Sequence, residues 1–305
     1  VTLNGIQELM KQTELYGLRI AGIEFPKGEI PDCLFDSLSE LDISNCGVSY
    51  TELKKHWSEL PNRLGIGGMN LNDDQLTQLL FDSAKDQLDL HNNNLDGSFL
   101  AKSRVPIRNI NLSMNPLVDN SFKEAANASL DVYYLTLGQN PKLTSKGLDD
   151  LLVMGVQYLE LGPGCFTEKQ LSAAQLQISE LILRGKEFTG AELDLTAASL
   201  YELDLSHTGV TSESFNKLKG RLGPVSVLVL KGTAIDDDAL PMLVGMGVFR
   251  LDLSNTQVTA AGLRQFQSEM NGTLIITPGQ FSTEELSELR RTPNIQLGSD
   301  EGGWF

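Results

Sequence analysis

Apolar residues recur along this chain in a short phrase that places them at its first, fourth and sixth positions. Leu200, Leu203 and Leu205 form one such phrase, and residues 38–43 form another. Successive side chains of a β-strand point to opposite faces. We therefore expect Leu203 and Leu205 to point inward and Asp204 to point outward. Each phrase predicts one short strand with a buried side and a solvent side.

The phrase returns at a nearly constant interval over the whole chain. Its central apolar residues lie 22 to 25 residues apart, and a thirteenth, partial phrase begins near Ile295. A fixed period of this length is the sequence signature of a repeat architecture. The central residues are Leu18, Leu41, Leu64, Leu88, Ile110, Leu135, Leu159, Leu181, Leu203, Leu228, Leu251 and Leu274.

A small polar residue follows most phrases at the same place. Its side chain is able to hydrogen-bond the backbone of the turn in which the chain leaves the strand. Stacked repeats are then expected to form a ladder of such side chains. The residues at this place are Cys46, Asn93, Asn115 and Asn140, followed later in the chain by Thr208, Thr233 and Thr256.

The segments that return from one strand to the next have a helical pattern. They begin with a capping-type residue such as Ser145, Thr211 or Thr283, and apolar residues follow at spacings of three and four. Aspartates crowd two of the predicted helix starts, at 73–74 and 236–238, where the helix dipole favours negative charge. We therefore expect helical returns.

These phrases identify a resemblance to the leucine-rich repeat superfamily, over essentially the whole chain. The resemblance implies an α/β solenoid of about twelve repeats. Parallel strands would line the concave face of a curved horseshoe and helices its convex face, in the ribonuclease-inhibitor-like form. The later repeats, with Thr256, Val258 and Leu263, are similar to those of irregular bacterial leucine-rich repeat proteins.

A repeat array is expected to form one continuous domain, because each repeat contacts mainly its neighbours. We predict a single leucine-rich repeat domain over residues 1–305. Within it, residues 1–16 form an N-terminal helix, cap or truncated repeat, residues 17–297 form the repeats, and residues 298–305 form a tail that leaves the pattern.

Composition excludes some partners and leaves others open. The formal net charge of −16 disfavours nucleic acid and anionic membranes, which both need clustered Lys and Arg. The apolar stretch at 239–249 is much shorter than the roughly 20 residues that span a bilayer. No cofactor or metal site is predicted, and we expect a monomer that binds a protein partner.

The chain has three cysteines, Cys33, Cys46 and Cys165, and they do not have the spacing of metal ligands. We do not expect a disulfide framework. The chain starts at Val1, within what reads as a return helix, and this suggests a piece of something longer. The sequence slightly favours a secreted or cell-surface bacterial protein, or a host-delivered effector, over a cytoplasmic one.

The concave face carries the candidate binding residues. Tyr134 and Tyr158 occupy the same place in neighbouring phrases and are expected to lie side by side. Exposed tyrosines are enriched in interfaces, although packing against neighbouring side chains is the alternative. The other candidates on this face are Asp89, His91, Asn111, Thr136, Glu160 and Asp204.

Two further arrangements have alternative explanations. Acids gather at Glu40 and Asp42 and again at Glu202, Asp204 and Asp252. A basic partner would fit there, but a solvated acidic surface is the simpler interpretation. The glycine-rich run 65–68 lacks the Lys of a phosphate loop and is interpreted as close backbone packing.

Asp89, His91 and Ser113 are the residues that most resemble a catalytic triad, which is defined by geometry. Asp89 and His91 are two apart on one strand, which is too distant for a good orienting hydrogen bond without a bend. We assign no catalytic residue. The predicted function is non-enzymatic protein binding through the concave face. The alternatives are a targeting arm of a larger bacterial effector or cell-surface protein, and hydrolysis at these three residues.

Overall fold

The computed structural model describes residues 2–35, 38–103, 106–127, 132–173, 176–243, 246–266, 272–289 and 295–297. The chain divides into two compact units, Val1–Val156 and Gln157–Phe305. In both units, short strands alternate with return segments. The predicted tail at 298–305 lies outside the described residues. The single domain and the horseshoe curvature stay predictions.

The first unit contains twelve of the regular elements described. They are α1 (Leu3–Gln12), β1 (Gly17–Arg19), β2 (Glu40–Asp42), α2 (Tyr50–His56), β3 (Arg63–Gly65), α3 (Asp73–Asp82), β4 (Gln87–Asp89), α4 (Phe99–Lys102), β5 (Asn109–Asn111), α5 (Asp119–Asn127), β6 (Tyr134–Leu137) and α6 (Ser145–Val153).

The second unit continues the alternation. Its elements are β7 (Tyr158–Leu161), α7 (Glu168–Ala173), β8 (Glu180–Leu183), β9 (Leu200–Asp204), α8 (Ser212–Lys219), β10 (Val225–Val229), α9 (Leu240–Leu243), β11 (Arg250–Asp252), α10 (Ala260–Phe266), β12 (Thr273–Ile276), α11 (Thr283–Leu289) and β13 (Ile295–Leu297).

Strand pairing follows the predicted repeat in each unit. Every strand in a unit pairs in parallel with the next one along the chain, and the central residues of the phrases lie opposite one another. In the first unit the matched residues are Leu18, Leu41, Leu64, Leu88, Ile110 and Leu135. In the second unit they are Leu159, Leu181, Leu203, Leu228, Leu251, Leu274 and Ile295.

The apolar core of each unit lies between the strands and the returns. Leu203 and Leu205 are buried as predicted, and the aromatic side chains Phe99, Phe122 and Phe215 fill the space behind the strands. A repeat unit of this length, with one parallel strand and its inward leucines, is the leucine-rich repeat architecture. The predicted fold class is confirmed.

The predicted ladder is present in the first unit, where its asparagines connect neighbouring repeats. The Asn115 side-chain oxygen accepts backbone N–H groups of Asn93 and Leu95 in the preceding repeat, at 3.1 and 3.2 Å. Its amide nitrogen donates to carbonyl oxygens of Leu90, Leu112 and Ser113. Buried polar groups need such partners.

The threonines of the second unit make a more local contact. The hydroxyl groups donate to a carbonyl oxygen three residues earlier in the same turn: Thr208 to Leu205, Thr233 to Leu230 and Thr256 to Leu253, at 2.6 to 2.7 Å. The two kinds of ladder residue therefore occupy one place in the repeat but bind different numbers of neighbours.

Acidic residues at helix starts bind the next repeat. Asp73 accepts backbone N–H groups from Asp96, Gly97 and Phe99, and Glu168 accepts those of Thr189, Gly190 and Glu192. Asp119 and Asp237 similarly accept from Thr144 and Thr259. The helix dipole explains why an acid is favoured here, but the contacts show that it also joins successive repeats.

The expectation of helical returns is wrong for residues 184–199, which form turns. Gly185 and Gly190 have φ angles of 112° and 77°, which an α-helix does not accept. The return from β1 to β2 contains the 3₁₀ turns Pro26–Gly28 and Asp32–Leu34. Where helices do form, the cap of α8 is Thr211 as predicted, whereas α6 is capped by Thr144 rather than Ser145.

Candidate functional site

The strand face of each unit consists of the residues directly before and after the central residue of each strand. Many of the polar residues after the central position hydrogen-bond to backbone N–H groups. In five repeats an Asp or Asn side-chain oxygen accepts the N–H two residues later, which fixes the chain as it leaves the strand. The pairs are Asp42–Ser44, Asp89–His91, Asn111–Ser113, Asp204–Ser206 and Asp252–Ser254, at 2.7 to 3.1 Å.

Asp89 and His91 form the most compact polar pair on the strand face of the first unit. The His91 Nδ1 atom lies 2.8 Å from Asp89 Oδ1, with both side chains partly exposed. The expectation that both residues lie on one strand is wrong, and a turn supplies the bend that this contact needs. His91 lies just beyond the end of β4, where the turn closed by Asp89 brings its ring back over the carboxylate.

The His91 ring lies over Gly67, on the side of the preceding strand. A side chain at Gly67 would overlap the ring, and one at Gly65 would overlap the Asp42 carboxylate. These two glycines thus make room for side chains of the adjacent repeats. The hydrogen bond that His91 donates to Asp89 raises the pKa of His91, burial opposes that effect, and the charges of Asp89 and Asp42 add to the increase.

The His91 ring is directed away from Ser113, the candidate nucleophile. Ser113 follows β5, on the opposite side of β4 from Gly67. A triad requires His to contact the nucleophile and the acid at once. Among the described residues, the His91 ring hydrogen-bonds to Asp89 and lies against Gly67, so the arrangement that most resembled a triad does not form one.

Tyr134, Thr136 and Asn111 lie together on the strand face of the first unit. Asn111 is opposite Thr136 and Asn109 is opposite Tyr134 in the register of β5 and β6. All are partly exposed. Tyr158 occupies the same place in the second unit, on β7, and is also partly exposed. The contact between Tyr134 and Tyr158 stays a prediction.

Arg184 brings two predicted site residues of the second unit together. Its Nη2 atom lies 2.8 Å from Asp204 Oδ2, and its Nε atom lies 3.5 Å from Glu160 Oε1. The side chains of Asp204 and Glu160 belong to β9 and β7, so the guanidinium extends across β8. Arg184 directly follows β8, and the repeat pattern does not indicate that a residue at this place would join acids of two other strands.

Glu180 and Glu202 lie side by side next to that ion pair, in the register of β8 and β9. Burial raises the pKa of Glu202 to about 7, and the charges of Glu180 and Asp204 add to the effect, while Arg250 and Arg184 oppose it. Burial also raises the pKa of Glu180, which a hydrogen bond from Tyr158 partly offsets. The negative charge of the carboxylates around Glu202 exceeds the positive charge of the two nearby arginines.

Two exposed aromatic residues near this cluster were missed from the sequence. Tyr201 and Phe249 stand two positions before the central residues of β9 and β11, where the strands begin, and are 57% and 66% exposed. The signal was present, because both occupy one place in the repeat. The predicted strand face included only the positions adjacent to the central residue, and these two aromatic residues stand one position further from it.

Within the described ranges, no group of three or more His, Cys, Asp and Glu side chains is placed to hold a metal ion. No helix in the same part of the chain combines the length and apolar character needed to cross a membrane.

No protein-family model matches the sequence, and a search of curated proteins finds no match. Solved structures are similar in fold. One is the complex of Rad7 and Elc1 from yeast, with 13% identity and a TM-score of 0.43, over 97% of this chain and 88% of that one. Another is the TLR13–ssRNA13 complex, with 18% identity and a TM-score of 0.44, over 80% of this chain and 43% of that one. Likeness at this level carries no argument about function.

Proposed function

We propose that this chain is a non-enzymatic module that binds a protein partner through its strand face, which would be the concave face of the solenoid. The observation that carries this proposal is, in each unit, a row of short parallel strands that presents partly exposed polar and aromatic side chains at regular places. Such a surface suits recognition of another protein, because each position contributes an independent side chain. The inference from fold to function is an analogy, and the binding experiment decides it.

Tyr134 in the first unit and Tyr158 in the second are the proposed main binding residues. They are aromatic residues with polar ends, a type that often dominates binding energy. In the first unit Asn111, Thr136, Asp89 and His91 would contribute alongside Tyr134, and in the second unit Glu160 and Asp204 would contribute alongside Tyr158. Because Asp204 and Glu160 already pair with Arg184, a partner that reaches them would have to compete with that ion pair.

Partner capture tests this proposal. We expect Tyr134→Ala/Tyr158→Ala to lose a protein that the wild-type chain retains from a lysate of the source organism or of a host. Tyr16→Ala/Tyr50→Ala is the matched control, because it removes two tyrosines that stand elsewhere and should leave capture intact. Circular dichroism establishes that both variants fold. Equal capture by all three proteins would move the binding site away from these tyrosines.

Hydrolysis is tested separately with a panel of ester substrates. The wild-type chain, Ser113→Ala and His91→Ala are expected to show the same background rate, because His91 faces away from Ser113. A rate that falls in both variants would establish a hydrolase and contradict the non-enzymatic proposal.

A further inference from the structure

The strands of the second unit begin along a row that alternates small and aromatic residues. Tyr201 donates its backbone N–H to the Ser179 carbonyl at 2.8 Å, and Phe249 donates to the Ser226 carbonyl at the same distance. The row thus runs Ser179, Tyr201, Ser226, Phe249 on consecutive strands. Both aromatic side chains are largely exposed, and Ser226 separates them.

The two aromatic residues stand on either side of a slot in the row, where the intervening position is the serine. Tyr201 and Phe249 are two strands apart, which corresponds to roughly 10 Å between their backbones. The serine between them has a small side chain. A long, flexible side chain from another molecule is able to reach this position between the two aromatic residues. Exposed aromatic residues grouped in this way mark interaction surfaces more often than isolated ones.

The charges beside the row define what would enter that slot. Glu202 directly follows Tyr201 in the chain, and Glu180 lies opposite Glu202 on β8. Arg184 forms ion pairs with Asp204 and Glu160. The other nearby cation is Arg250, which follows Phe249 in the chain and is exposed. Four carboxyl groups therefore face two guanidinium groups, and Glu180 and Glu202 share the remaining negative charge. A cation from outside would relieve their mutual repulsion.

We propose that this surface docks a basic segment of a partner protein, with a Lys or Arg side chain placed between Tyr201 and Phe249 and its charge directed at Glu202 and Glu180. The inference rests on the proposed binding function and specifies the class of partner. The aliphatic stem of a Lys or Arg packs against aromatic rings, and its cationic end is attracted both to ring faces and to carboxylates. An acidic or purely apolar segment would bring no positive charge to the two glutamates.

The same geometry makes docking pH-dependent. Glu202 is surrounded by Glu180 and Asp204, by the cations Arg184 and Arg250, and by Val227 on β10. Protonation of Glu202 near pH 7 removes charge from the surface while a Lys or Arg ligand stays charged. Affinity for a basic segment is expected to fall about threefold as the pH is lowered from 8 to 6.

The test is a selection of short random peptides, displayed on phage, on the immobilised wild-type chain at pH 8. We expect the enriched peptides to be rich in Lys and Arg. The best peptide is then synthesised, and its affinity is measured by fluorescence anisotropy. Tyr201→Ser/Phe249→Ser should weaken binding about tenfold or more, as for the loss of interface hot spots. Glu202→Gln should weaken it severalfold and abolish the change between pH 8 and pH 6.

Matched controls use exposed residues outside the row. Tyr16→Ser/Phe81→Ser removes two exposed aromatic residues of the first unit, and Glu192→Gln neutralises an exposed acid of the second unit. Both should leave the affinity within about twofold of wild type. Circular dichroism and urea unfolding verify that every variant folds, so that a loss of binding is not a loss of structure.

Each remaining outcome overturns the inference. Enriched peptides that are neutral or acidic would exclude a basic partner segment. Basic peptides that bind the Tyr201→Ser/Phe249→Ser variant as tightly as wild type would exclude the row. Peptides that are lost only with Tyr134→Ala/Tyr158→Ala would reject this row and support the proposed function. Absence of any enriched peptide would reject the basic segment, while capture of folded proteins judges the binding function independently.

Discussion

Asn115 in the first unit hydrogen-bonds to residues of two repeats, whereas Thr233 in the second unit hydrogen-bonds within its own turn. Both occupy the same place in the repeat and both are buried. The asparagine amide has an acceptor and a donor that point in different directions, whereas the hydroxyl group has only one hydrogen to donate. One sequence position thus connects neighbouring repeats in one unit and closes a local turn in the other.

The two units also differ in the sign of the charged groups that they bury. The first unit buries the Lys85 ammonium group against Trp57, where it donates to the carbonyl oxygens of Trp57 and Leu60 at 2.8 and 2.6 Å. The second unit crowds carboxyl groups around Glu202. Burial disfavours the charged form in both cases, so the units should respond to pH in opposite directions.

The largest expected effect comes from the asparagine ladder. Asn115→Ala removes five hydrogen bonds and leaves buried backbone groups of two repeats without partners, which should cost about 4 kcal/mol of unfolding free energy. Thr233→Val removes one donor with little change of volume and should cost about 1 kcal/mol. Urea unfolding, with hydrogen exchange followed in each unit, measures both. Equal costs would remove the distinction between the two ladders.

Lys85 should make the first unit more stable as the pH rises. Burial lowers the pKa of Lys85 to about 8, from an ordinary value of 10.5. Between these values the folded unit has released a proton that the unfolded chain still binds, so stability increases with pH across this window. The gain should be about 2 kcal/mol between pH 7 and pH 10. Thermal unfolding of wild type against Lys85→Met measures it, and an identical pH dependence in both would contradict this account.

Glu202 should have the opposite effect in the second unit. Its pKa is raised to about 7, so that between the ordinary value of 4.5 and 7 the folded unit binds a proton that the unfolded chain has released. Stability therefore falls as the pH rises through this window. Glu202→Gln should stabilise the unit by on the order of 1 kcal/mol at pH 8, after allowance for the partial exposure of the side chain. Destabilisation at pH 8, measured by urea unfolding, would show that the carboxylate has stabilising partners.

This last variant connects stability with the proposed docking surface. Glu202→Gln is expected to make the chain more stable and to bind basic peptides less tightly. Natural proteins often keep such unfavourable groups where they serve a function. A variant that gains stability without loss of binding would show that the acid cluster has no part in docking.

The strand register was predictable from the sequence because it depends on a local pattern. Every central residue from Leu18 to Leu135, and from Leu159 to Ile295, lies where the period placed it. The burial of inward leucines determines register, since a slip by one residue would expose the whole apolar side. The ladder residues follow for the same reason, because they stand at a fixed distance from that apolar side.

Contacts between repeats were not predictable to the same extent. Asp73 and Glu168 bind loops more than twenty residues further along the chain, and Arg184 joins acids on two other strands. Such contacts depend on side-chain direction and on the exact path of each return, which the repeat period does not specify. The general expectation of helical returns fails at 184–199 for the same reason, since Glu168 and two glycines with positive φ favour turns there.

The smallest expected effect concerns backbone strain at a position of the repeat that occurs in both units. The residue before the ladder residue has a positive φ, and it is Met114 in the first unit and His207 in the second, each with φ of 60°. This left-handed conformation is unfavourable for a residue with a long side chain, whereas Gly adopts it readily. Met114→Gly and His207→Gly should each stabilise the chain by roughly 0.5 kcal/mol, because relief of strain is partly offset by the greater freedom of glycine in the unfolded chain.

Asn92→Gly is the matched control, since asparagine already tolerates this conformation, and it should change the free energy of unfolding least. Urea unfolding in parallel distinguishes these results. If Met114→Gly destabilises the chain, the half-exposed Met114 side chain makes packing contacts that outweigh its backbone strain.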